Sequence, residues 1–236
     1  MRRLTVVVTV VVALLAVTVL VDRLAARGTA AAITSQMATA GMELGPESEV
    51  RIEGFPYLTQ LLSGRLREVT ITADTASVDG MMLTDLHGVT RGVGTSPPYV
   101  AESAEFTATM STDALSEAMR RAGPAGATAD AEVDVTDTGL AVSAAVFGLP
   151  LRVVLGLVTN DGAITFELEH VSLAGFTVSA DSIPDALEQA LAGLAAPAGV
   201  FPDELAISDV TLLPGEGIQI TMTGSDVALE TLFPVP

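Results

Sequence analysis

From Val50 onward the chain keeps alternating apolar and polar residues with a period of two, and no other feature narrows its fold as far. In "REVTITADTASV", Val69, Ile71 and Ala73 share one face of an extended strand, while Thr70, Thr72 and Asp74 share the other. Successive strand side chains point to opposite faces, so the segment has one dry side and one wet side. Gly80 separates it from "MMLTDLHGVTRGV", and "YVAESAEFTATM" follows as another strand. "STDALSEAMRRAG" then turns helical, with Ser111 or Thr112 as cap, Leu115 and Met119 on one side, and Gly123–Pro124 as the stop.

Residues 127–181 continue with four or five long strands, turning at Asp137 to Gly139, at Gly148–Leu149–Pro150 and at Asn160–Asp161–Gly162. Ser182 caps a second helix whose stripe is Ile183, Leu187, Leu191 and Leu194. "ELAISDVTLLP" and "GIQITMTGS" add two strands. No linker rich in Pro, Ser or charge interrupts the region, and strands followed by a helix occur twice. The pattern predicts one α+β domain. Aromatic residues make up only 4% of the chain, so Val, Ile, Leu, Ala and Met line the dry faces. Such faces either close into a compact core or line a curved sheet around an apolar cavity; composition alone slightly favours the core.

The start of the chain obeys another rule. Arg2 and Arg3 precede an unbroken apolar run from Leu4 to Val21. Eighteen residues at about 1.5 Å each reach roughly 27 Å, enough to cross a hydrocarbon core. With the positive flank inside, everything after Asp22 is exported. An uncleaved anchor suits the length of the run. A cleaved signal peptide is the rival reading, because Ala25, Ala26 and Ala30 to Ala32 offer small residues for cleavage. "LAARGTAAAITSQMATAGMEL" then places Leu24, Ile33, Met37 and Met42 among alanines, a helix ending near Gly41 or Gly45–Pro46 whose small residues favour close packing. The expected organisation is a signal anchor or signal peptide over 1–23, a helical stalk or packed helix over 24–46, and the α+β domain over 47–236.

Charge and residue content exclude several functions. Beyond Arg23, eight Arg face twenty-eight Asp and Glu, a net charge of −20. That surface repels phosphate backbones, so nucleic acid is not a partner, and contact with a membrane must be local and apolar. The absence of cysteine removes disulfides, thiolate chemistry and a lipobox-type anchor. There is no Gly-x-Ser-x-Gly elbow, zinc-protease motif or phosphate loop. His87 and His170 read as ordinary surface or turn residues, since Glu167 and Glu169 lie on the strand face opposite His170. Asp130, Glu132 and Asp134 alternate along one face, but Val135 and Ala141 stand where a calcium loop needs Gly and Glu; a solvated strand face explains them.

"GFPYLTQLLSG" is an apolar plug set into this alternation. Pro56 suits a first helical turn and Gly64 a stop, leaving one to two turns with Phe55, Leu58, Leu61 and Leu62 apolar. Too short to be stable alone, it either caps the domain or touches lipid. Arg51 precedes it, and Arg65 and Arg67 follow on one strand face. These guanidinium groups suit lipid phosphate, although exposed pairing with Glu53 or Glu68 accounts for them more simply.

The stretch "IEGFPYLTQLLSGRLREVTITADTASVDGMMLTDLHGVTRGV" resembles the start of the LmeA family of envelope proteins from high-GC Gram-positive bacteria. Gly54, Phe55, Pro56, Leu58, Thr59, Gln60, Leu61, Leu62 and Gly64 carry the likeness. The resemblance implies a tubular lipid-binding type of fold, in which a long curved antiparallel sheet wraps around helices and leaves an elongated apolar groove. It further implies phospholipid as ligand, no cofactor, and, from one branch, a link to mannan elongation of lipoglycans with envelope glycosyltransferases as partners. The candidates for lipid or membrane contact are Phe55, Leu58, Leu61, Leu62, Val69 and Ile71, and those for the headgroup are Arg51, Arg65 and Arg67; no catalytic or metal residue is expected. The competing readings are a glycan-synthesis scaffold without a cavity and a lipid-modifying enzyme.

Overall fold

The computed structural model describes residues 2–78, 80–122, 132–146, 149–160, 163–173, 175–179 and 204–232. The chain begins with one uninterrupted helix, α1 (Arg2–Thr39), about 57 Å long at 1.5 Å per residue. The apolar run and the alanine-rich segment are thus consecutive halves of a single rod. It ends two residues before Gly41, whose φ of +87° the sequence anticipates as a helix stop.

Seven antiparallel strands form the first sheet: β1 (Met42–Leu44), β2 (Glu49–Glu53), β3 (Arg65–Val78), β4 (Met81–Gly94), β5 (Val100–Ser111), β11 (Ala206–Leu213) and β12 (Gly217–Ala228). Their order is β1-β3-β4-β5-β12-β11, with β2 sharing the β1 edge of β3. β2 lies along the start of β3, where Glu53 faces Glu68, and β1 lies along its end, where Met42 faces Val78. The second sheet is a meander of β6 (Glu132–Val135), β7 (Gly139–Val146), β8 (Leu149–Asn160), β9 (Ala163–Leu173) and β10 (Phe176–Ser179). Three short helices complete the described elements: α2 (Tyr57–Leu62), α3 (Thr112–Ala122) and α4 (Leu229–Leu232). The Ser111 hydroxyl caps α3 by accepting the Ala114 N–H at 3.2 Å.

The molecule is α+β with antiparallel strands, as the alternation predicts, and its strands form two open sheets. Val69, Ile71 and Ala73 are buried while Thr72 and Asp74 are exposed, the division read from the sequence. One core joins the two sheets: Met110, Ile218 and Ile220 from the first meet Val133, Val135, Leu140, Val153 and Val171 from the second, with Leu115 of α3 between them. Two further cores lie under the second half of α1: Ala26 is buried with Ile52, Leu66 and Val69, and Met37 with Ile71, Ala73 and Ala76. The alanines bring the helix close to the sheet. The predicted helix from Ile183, the Met119 side chain, and the signals at Gly123–Pro124, Gly148 and Asp161–Gly162 lie outside the described residues.

Candidate functional site

The plug folds as the short helix its residues suggest. Pro56 takes an extended conformation at the N-cap, and α2 starts at Tyr57. Ser63 stays right-handed, and Gly64 adopts φ +76°, the left-handed position that ends a helix at least cost in glycine. Two residues with polar groups are buried on α2: Tyr57 and Gln60. Gln60, 3% exposed, donates from Nε2 to the Glu53 carbonyl at 3.1 Å and accepts the Arg67 N–H on Oε1 at 2.8 Å. This one amide joins the end of β2 to the start of β3 beneath the helix.

The first turn of α2 is capped from another element. Asp22 lies on α1, immediately after the apolar run, and is 1% exposed. Its Oδ2 accepts the Tyr57 N–H at 3.0 Å and its Oδ1 the Leu58 N–H at 2.9 Å. About two helical turns further along α1, the Thr29 and Tyr57 hydroxyls are hydrogen-bonded at 2.6 Å. The Arg23 guanidinium sits 5.5 Å from the centre of the Phe55 ring, within cation–π range. Asp22, Arg23 and Thr29 of α1 thereby fix the plug to the long helix through Tyr57, Leu58 and Phe55.

Between α1 and the first sheet lies a cleft of about 360 Å³. Thr29, Ala32, Ile33 and Met37 of α1 form one wall; Leu66, Val69, Ile71, Val93 and Phe106 of the sheet form the other. Gly88 of β4 makes room for the Phe106 ring, since a Cβ there would lie 2.6 Å from it. Leu61 and Tyr57 close the cleft at the plug, and Tyr99, Thr95, Leu229 and Glu230 border it elsewhere. Among the described residues, Glu230 is the one charged group in the lining, and no histidine belongs to it. The surface is one on which hydrocarbon can lie.

The candidate residues divide according to this geometry. Val69, Ile71 and Leu61 line the cleft. Phe55 and Leu62 are exposed outside it, and Leu58 is half-buried against the Tyr57 and Ile52 core instead of standing at a tip. The three arginines lie apart from the lining. Arg51 pairs with Glu49 at 2.7 Å and approaches Glu53 at 3.9 Å; the Glu49 hydrogen bond and then its charge raise the guanidinium pKa. Arg65 pairs with Glu102, and Glu68 is taken by Arg91 at 2.8 Å. His87 is exposed on β4 and His170 half-buried on β9, in different sheets. Glu132 and Asp134 are exposed and alternate with the buried Val133 and Val135, the solvated face expected, while Asp130 lies outside the described residues. Among the described residues no group of three or more acids and histidines could hold a metal ion.

The roles of Asp22, Thr29, Tyr57 and Gln60 are not legible in the sequence. The available signals were weak: an acid directly after an apolar run, and the Tyr-x-x-Gln spacing that puts both side chains on one helical face.

An antiparallel α+β protein with an apolar cleft, walled on one side by its own first helix, has the architecture of a protein that holds an apolar ligand. The sequence matches the model of the LmeA-like phospholipid-binding family over residues 20–223, most of the chain, and the protein belongs to that family. The family is described by binding, not by a catalysed reaction. Neither among curated proteins nor among solved structures does any match reach significance.

Proposed function

We propose that the cleft between α1 and the first sheet receives an acyl chain of a phospholipid, in a protein held at the outer face of the cytoplasmic membrane by the first half of α1. The observation that carries this reading is the cleft itself, lined mainly by apolar side chains in a member of a phospholipid-binding family. Its volume of about 360 Å³ lies toward the small end of the roughly 300–1,000 Å³ typical of ligand sites. A phospholipid has two chains, so such a site suits one chain better than both.

Burying a chain gains about 0.8 kcal/mol per methylene relative to water. A lipid taken from a bilayer leaves hydrocarbon for hydrocarbon, so the net exchange is nearly neutral. That balance favours reversible transfer over storage. Support for lipoglycan (mannan) assembly, and for envelope glycosyltransferases as partners, comes from the family resemblance alone. Among the described side chains no helix carries an apolar stretch long enough to cross a membrane, the side chains of residues 1–11 and 14 being outside that set. The anchor reading therefore rests on the run from Leu4 to Val21 and on the exposure of Val12, Leu15, Val17, Leu20 and Val21 along α1.

Native mass spectrometry of the full-length protein, extracted in mild detergent, tests the proposal. The expected spectrum shows a one-to-one phospholipid adduct that survives gentle activation. A bare chain mass under conditions that preserve a known lipid complex would overturn it.

A further inference from the structure

The plug and the apolar run are separate in sequence but level in space. Asp22 is the residue after Val21, where the run ends, and its carboxylate binds the first two N–H groups of α2. Whatever depth the run gives α1 in a bilayer, α2 therefore begins at the polar boundary of that bilayer. Thr29, the first α1 residue of the cleft wall, lies about 12 Å farther along the axis at 1.5 Å per residue. The Tyr57 hydroxyl points toward that level, because it bonds Thr29. Leu62 is five residues on, about 140° round the helix from Tyr57 at roughly 100° per residue, and is 88% exposed. Phe55 and Leu61 are also exposed, and Leu61 simultaneously lines the cleft.

We infer that α2 is a portal seated in the outer leaflet of the membrane: Leu62 and Phe55 enter the lipid beside the anchor, and Leu61 marks the path by which an acyl chain passes into the cleft. The partner is a lipid surface, not a protein groove, because the patch adjoins the end of the apolar run through the two N–H bonds to the Asp22 carboxylate and the Arg23–Phe55 contact. Arg23 at this level meets the phosphate layer, where a cation is favoured. The inference rests on the anchor reading above, and adds that the lipid is handed over at α2 without crossing water.

The chain has no cysteine, so a single introduced thiol is unique. Full-length Leu62→Cys, labelled with an environment-sensitive nitrobenzoxadiazole and reconstituted into phosphatidylcholine–phosphatidylglycerol vesicles, reads the depth of the plug. Blue-shifted emission, quenched severalfold by lipids with a nitroxide on the acyl chain, is expected. The same label at Asp137→Cys, on an exposed turn of the second sheet, should emit as in water. Flotation of the labelled vesicles reports the anchor independently. Protein that floats while the Leu62 label emits as in water and ignores the quencher would overturn the portal and leave the anchor standing. Protein that fails to float would overturn both.

Discussion

Asp22 is 1% exposed, yet both carboxylate oxygens are used, each by one N–H of the first turn of α2. Replacing it by Ala leaves the buried Tyr57 N–H without its acceptor, at a cost of about 1–3 kcal/mol. For a chain of this size each kcal/mol moves the melting temperature by about 2–4 °C. Asp22→Ala should therefore melt several degrees lower, with Asp22→Asn in between, since an amide keeps one acceptor oxygen. Differential scanning calorimetry of the three proteins checks the order; an Ala variant as stable as the parent would mean that water replaces the carboxylate. This role was not legible in the sequence. The partners are 35 and 36 residues away, and an acid directly after an apolar run reads as the limit of that run and nothing more. Gln60 was hidden for a related reason: it belongs to the recognisable Gly-Phe-Pro stretch, but its two bonds go to backbone groups that the sequence does not identify. By contrast, Gly64 was readable, because a helix stop is a local requirement.

At the scale of elements, local periodicity predicted which faces are dry, and pairing between distant segments decided the rest. Val69, Ile71 and Ala73 point inward as their alternation requires. That β5 pairs with β12, Ser111 opposite Gly217, depends on contacts between segments about a hundred residues apart, which alternation does not specify. The same holds for the division into two sheets. The small residues of α1 allow close packing: Ala26 is buried in the core with Ile52, Leu66 and Val69 of the sheet, and Ala30 is buried as well. Ala32 is different, being exposed while lining the cleft. A Phe at this position would project into the cleft without displacing a packed core residue, unlike a bulky replacement of Val69 or Ile71, which would also strain the core by about 1–3 kcal/mol. Ala32→Phe is expected to lower phospholipid occupancy severalfold in native mass spectra while its melting temperature stays near that of the parent. Full occupancy at an unchanged melting temperature would remove this wall of α1 from the binding site.

The whole molecule turns on the fact that α1 belongs to two parts at once. Its first half is the apolar run; its second half supplies Asp22 to the plug, Ala26, Ala30 and Met37 to the core, and Thr29, Ala32 and Ile33 to the cleft wall. A signal peptidase cutting at the small residues Ala25–Ala26 or Ala30–Ala32 would remove Asp22 in every case, and in the later case Thr29 and Ala30 as well. The product would lose the cap of α2 and the Tyr57 hydroxyl partner, and would open one side of the cleft. The acidic remainder, at −20 beyond Arg23, offers no broad attraction to an anionic leaflet that could stand in for the proposed anchor. On the proposed anchor reading, retention of the run keeps the Asp22 cap and the Thr29 wall in place and keeps the cleft beside lipid. Intact-mass measurement of the protein from the membrane fraction of its own cells should give a chain that still includes Leu4 to Val21, and a reporter fused after Pro236 should be active only on the exported side. Recovery of a stable, lipid-loaded chain that begins after Ala32 would sink this account, because that chain would hold its ligand without the wall and the cap that α1 provides.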